Sequence, residues 1–100
     1  MQPVNENNWQ AVCEMPRAIV EFSAPWCGPC KMQGQILRDL EGDAVGVFVG
    51  EVNIDEDCLL ADRLGIKSVP TLVVLANGHE QKRMNGLQQR ETVRSVLKGI

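Results

Sequence analysis

One hundred residues, 44% hydrophobic and 23% charged, predict one globular domain over residues 1–100 whose core needs no staples. A net charge of −3 without a basic stripe excludes nucleic acid, and no apolar run approaches the ~18 residues of a membrane-crossing helix. The polar start, Met1 to Glu6, carries no signal-peptide core and points to the cytoplasm, where lasting disulfides are rare.

In chain order, Asn5 to Cys13 predicts a short helix, capped by Asn5 or Asn7 and ended by Pro16, with Trp9, Val12 and Cys13 on one face. Trp9 belongs to the core. Ala18 to Phe22 is too short and too apolar for a helix and reads as a buried strand. From Gly28 to Glu41 the pattern turns helical, with Met32, Ile36, Leu37 and Leu40 facing inward and Gly42 as the stop. Val45 to Ile54 is a nearly continuous apolar strand suited to the middle of a sheet. Asp55, Glu56 and Asp57 then set acidic groups at the start of a helix over Glu56 to Leu64, with Leu59, Leu60 and Leu64 inward. Thr71 to Ala76 and Glu80 to Met84 flank the turn pair Asn77-Gly78, a hairpin signal. Gln88 to Lys98 closes the chain as a helix with Val93, Val96 and Leu97 on one face. The sum is an α/β sandwich around a mixed sheet.

The chemistry concentrates at Trp26-Cys27-Gly28-Pro29-Cys30, where a strand hands over to a helix. At a helix start, free N–H groups and the helix dipole favour a thiolate, so Cys27 is expected to be the exposed nucleophile. Cys30, three residues on and on the same side, is expected to be the more buried resolving thiol. Gly28 and Pro29 suit a tight first turn. The competing reading is a zinc pair, but zinc wants a second pair at comparable spacing, and Cys13, Cys58 and His79 do not supply one. No metal or cofactor is therefore expected. Cys13 and Cys58 read as small apolar residues on helices, and His79 as a solvated loop residue.

Glu21 interrupts an apolar run six positions before Cys27. Alternation puts it opposite Val20 and Phe22. Covered by the following helix, its carboxyl would be buried, its pKa raised, and it could serve Cys30 through a water as base and acid. Pro70, just ahead of a strand, is by default an ordinary trans residue.

The chain resembles the thioredoxin family. The residues that carry the resemblance are Val20 to Met32 around the cysteine pair, Val52 to Asp55, Gly65 to Leu72, and Asn77-Gly78, in the family's order from about Trp9 to the C-terminus. The resemblance implies a thioredoxin fold, with four to five strands in a central mixed sheet flanked by helices. It implies a monomeric protein-disulfide reductase that acts on disulfide-containing client proteins and is re-reduced by thioredoxin reductase. It also implies a cis Val69–Pro70 bond facing the disulfide, reversing the default above, and an apolar docking surface from Trp26, Gly28, Pro29, Val69, Pro70 and Gly86.

Five positions depart from the family pattern. Glu21 stands for an aspartate and Glu51 for the lysine often paired with it, so the two carboxylates should repel and at least one pKa should rise. Ser23 stands for an aromatic residue, which loosens packing beneath the site. Gln35 stands for a helix-kinking proline, and Asn85 makes the docking surface more polar. Met1 to Val4 leave room for a rudimentary first strand at most. A dedicated partner of one client or of an unusual reductase is the alternative reading.

Overall fold

The strand formed by Arg17–Ser23 has neighbours on both edges and helices on both faces, and the rest of the molecule is arranged around it. A computed structural model describes residues 1–43 and 45–100. The elements are β1 (Gln2–Pro3), α1 (Trp9–Cys13), β2 (Arg17–Ser23), α2 (Gly28–Glu41), β3 (Phe48–Asn53), α3 (Cys58–Arg63), β4 (Thr71–Ala76), β5 (His79–Asn85) and α4 (Arg90–Lys98). They build one five-stranded sheet in the order β1-β3-β2-β4-β5. β3 runs parallel to both β1 and β2, whereas β4 is antiparallel to β2 and to β5. The expected mixed α/β sheet is therefore present, with a first strand of two residues.

Alternation along β2 divides the core in two. Ala18, Val20 and Phe22 pack with Trp9 and Val12 of α1 and Leu60 of α3. The rings of Trp9 and Phe22 meet edge to face at 6.1 Å. On the other face Ile19 packs with Ile36, Leu37 and Leu40 of α2 and with Val93 and Leu97 of α4. Each such fully buried side chain contributes about 1.5–3 kcal/mol. The hairpin turns at Asn77 and Gly78, whose φ values of 53° and 84° are what a two-residue turn of this type demands.

Several boundaries and faces differ from expectation. The first helix begins at Trp9 because Asn5 Oδ1 accepts the N–H groups of Asn7 and Asn8 in a separate turn, and Asn8 takes the N-cap position. The third strand begins at Phe48, since Val45 and Gly46 lie in a turn with Gly46 at φ 79°. The acidic run stays outside α3: Asn53 Oδ1 accepts from the N–H groups of Asp55 and Glu56 and holds them in a turn. Leu59 and Met32, expected inward, are exposed. In α2 the buried stripe runs through Cys30, Gln33, Gly34, Leu37 and Leu40, and Met32 falls about 100° off it. Cys58 is exposed at the start of α3, not an inert buried residue, whereas Cys13 is half-buried, with burial raising its thiol pKa.

Candidate active site

The cysteine pair occupies the first turn of α2. Cys27 N–H donates to the Ala24 carbonyl, which folds Pro25 and Trp26 into a turn after β2. Cys27 is the N-cap residue, with Gly28 and Pro29 opening the helix behind it. Its Sγ accepts the Cys30 N–H at 3.2 Å. That contact holds the sulfur at the positive end of a 14-residue helix, where a thiolate is favoured. Cys27 and Cys30 form a disulfide with Cα atoms 5.3 Å apart. Both are buried, Cys27 at 5% and Cys30 at 3% exposure, so in this oxidised state the expected contrast between an exposed and a buried sulfur is slight.

Around the pair, Trp26 is 69% exposed and its Nε1 donates to Asp55 Oδ2 at 3.2 Å. Gly28 and Pro29 are exposed beside it. Val69 packs against the cluster of Ala24, Cys27 and Cys30. The Val69–Pro70 peptide is cis. Gly86 N–H donates to the Pro70 carbonyl at 2.8 Å, which joins the start of the α4 connection to the same rim. All six residues read as a docking surface therefore lie in these turns around the disulfide or are tied to them.

Behind the pair the polar groups gather. Glu21 has no exposed surface, and neither carboxyl oxygen has a hydrogen-bond partner among the described residues. Its register partner on β3 is Glu51, so the two acids sit side by side on one face of the sheet. Burial, reinforced by Glu51 and opposed by Arg38, pushes the Glu21 pKa up to about 8. Ser23 Oγ donates to Glu51 Oε2 at 3.2 Å, so the small residue in the aromatic position also anchors the second carboxylate. A cavity of about 300 Å³ opens here, lined by Ser23, Cys30, Lys31, Gly34, Arg38 and Glu51 among others.

A family model described as Thioredoxin matches residues 1–99. The chain belongs to the thioredoxin family. Thioredoxin from Chlamydia caviae is 34% identical over 90 residues, covering 90% of this chain and 88% of that protein. Thioredoxin from Alicyclobacillus acidocaldarius is 33% identical, covering 100% of this chain and 96% of that protein. A mutant thioredoxin from Halobacterium salinarum superposes with a TM-score of 0.88 at 26% identity, over 98% of this chain and 89% of that one. As a thioredoxin, the chain is a thiol–disulfide oxidoreductase, with Cys27 and Cys30 as its redox-active pair.

Within this thioredoxin scaffold two residues not named from the sequence enter, Gln33 and Arg38, and Asp55, named there only in the acidic run and the resemblance, gains a role. Gln33 is fully buried, its Nε2 donating to the Gln88 carbonyl at 3.1 Å and its Oε1 accepting the Gln88 N–H at 2.7 Å. Arg38 reaches the cavity behind Cys30, and Asp55 holds the indole of Trp26. Gln33 lies three residues after Cys30 and Arg38 four after Gly34, so helical spacing from the active-site turn was the available signal. Gln35, in the place of the kinking proline, bonds Asp39 one turn on at 2.9 Å, and α2 runs unbroken to Glu41. Asn85 is exposed and accepts from Thr71 Oγ1, keeping a polar group beside Gly86. No helix among the described residues is long and apolar enough to cross a membrane.

Proposed function

We propose that Cys27 is the attacking thiolate, Cys30 the resolving thiol and Glu21 the group that handles its proton, within one domain spanning residues 1–100. The placement of Cys27 Sγ at the N-cap, accepting the Cys30 N–H, carries this reading. In the reduced protein the Cys27 thiolate attacks one sulfur of a client disulfide, and the other client sulfur departs as a thiolate. The Glu21 carboxylate then takes the Cys30 proton through a water. The Cys30 thiolate attacks Cys27 Sγ, the second client thiolate departs, and the Cys27–Cys30 disulfide remains. Two electrons have passed to the client, and a thioredoxin reductase returns them.

Clients dock on Trp26, Gly28, Pro29, Val69, Pro70 and Gly86, where Trp26 and Pro29 offer exposed apolar area beside the disulfide while Pro70 itself is buried. The protein acts as a cytoplasmic monomer and needs no metal or cofactor of its own. Exposed Asn85 and the Trp26–Asp55 contact favour a second reading, a client or reductase of matching polarity. Turnover of insulin disulfides with a dithiol reductant tests the main reading. Cys30→Ser is expected to stop turnover and accumulate a mixed disulfide at Cys27. A Cys30→Ser variant that turns over normally would overturn the assignment.

A further inference from the structure

Glu21 is enclosed by three elements. From β3 it faces Glu51 and from β4 it faces Leu72, its two register partners. From α2 it faces Gly34, where a side-chain carbon would sit 3.4 Å from Glu21 Oε1 and also 3.4 Å and 3.5 Å from the two terminal nitrogens of Arg38. The carboxyl and the guanidinium thus converge on the one spot that the glycine leaves vacant. Arg38 takes part in no salt bridge among the described residues, and its other near contact is the Met1 sulfur at 3.9 Å. The remaining charged group lining the cavity, Lys31, is exposed next to Cys30.

We propose that Arg38 is the counter-charge of Glu21, reaching it across the side-chain-free position of Gly34 whenever that carboxyl ionises. It is a positioning residue for the proton step at Cys30, and the inference rests on the proton role of Glu21 proposed above. In the oxidised form burial favours the protonated Glu21 carboxyl, which stands without an ion pair among the described residues. To accept the Cys30 proton it must first be a carboxylate. A buried anion beside a second carboxylate is costly unless a cation meets it. Glu51 is held by the Ser23 hydroxyl, and the cation that acts on the Glu21 carboxyl is Arg38. The step balances: the Glu21 carboxylate gains the proton that the Cys30 thiol loses, and Arg38 then loses its partner and swings free.

Carbon-13 NMR titration of the Glu21 side-chain carboxyl in the oxidised protein tests this without reference to catalysis. Arg38→Met is expected to raise its midpoint by about one pH unit, the size of a single nearby charge. Arg38→Lys should restore part of that shift, and Gly34→Ala should raise the midpoint with Arg38 still present, because its methyl fills the meeting point. Glu51→Gln should move it the other way. In single-turnover reduction, Arg38→Met should slow release of the mixed disulfide about tenfold at pH 7 and shift its pH profile upward. In a Glu21→Gln background the same substitution should leave the profile unmoved. A Glu21 midpoint unchanged by Arg38→Met overturns the proposal, as does an equal profile shift with Glu21→Gln. A midpoint that moves with Arg38, while Glu21→Gln leaves release unaffected, supports the counter-charge and refutes the proton role of Glu21 instead.

Discussion

On one face of β2, Ala18, Val20 and Phe22 meet Trp9, Val12 and Leu60 without a charged side chain among them. On the other, the same strand passes from Ile19 through Glu21 to Ser23, from a packed aliphatic layer to a polar pocket of mixed charge beside the disulfide. The polar gradient runs along the chain toward Cys27, and β3 repeats it in register as Val49, Glu51 and Asn53. Alternation lets one strand serve both ends: its even-numbered residues hold the fold together, while its odd-numbered residues pass from the core at Ile19 to the polar groups of Glu21 and Ser23 at the site. The difference teaches that one face of the strand is given wholly to packing, while the other is divided along its length between packing at Ile19 and reactivity at Glu21.

That division can be broken most severely on the apolar face. Phe22→Ala should cost about 3–5 kcal/mol by denaturant unfolding, the range for emptying an aromatic site, yet leave the pH profile of reduction in place. The reverse holds for the polar face. Glu21 keeps its proton longer in the folded state than in the unfolded chain, with a pKa near 8 against an ordinary 4.5. Its contribution is therefore fully present below pH 4.5 and is lost as pH rises through 8. Glu21→Leu should remove that loss, gaining up to about 5 kcal/mol at pH 9 relative to pH 4 in paired melts, at the expense of reduction rate. A parallel pH dependence in the two proteins would show that Glu21 is not the group responsible.

Smaller effects sharpen the same contrast. Gln33→Leu keeps an apolar filling on the polar face but leaves the Gln88 N–H and carbonyl without partners, a loss of about 1–3 kcal/mol at all pH values. The exposed Arg90–Asp39 pair, 2.9 Å apart between α4 and α2, should matter least. Arg90→Ala is expected to lower the melting temperature only slightly at low salt and not at all in 1 M salt, where such pairs are screened.

Much of this was legible in the residues. The cysteine turn, the hairpin at Asn77-Gly78 and the inward set Leu60, Leu37 and Leu40 depend on local spacing, which sequence displays directly. The repulsion between Glu21 and Glu51 was legible as well, although their adjacency depended on strand register. Gln33 and Arg38 were not, because their meaning depends on the rotation of α2 about its own axis. An apolar residue type drew Met32 to the core on paper, whereas the helix turns Gln33 inward and satisfies it with main-chain bonds. Leu59 and Cys58 failed for a similar reason: α3 starts later than the acidic run suggests, and its short buried stripe begins at Leu60.

The Gln33–Gln88 contact carries one more consequence. Gln88 lies in the connection before α4, outside any helix or strand, and its amide would ordinarily exchange hydrogen with solvent at the rate of a loop. Here that amide is held by a side chain with no exposed surface, from the second turn of the active-site helix. Its deuterium uptake therefore times the separation of α2 from α4. A single slow amide in a loop is a clock for how often the helix bearing the cysteines lifts off its neighbour.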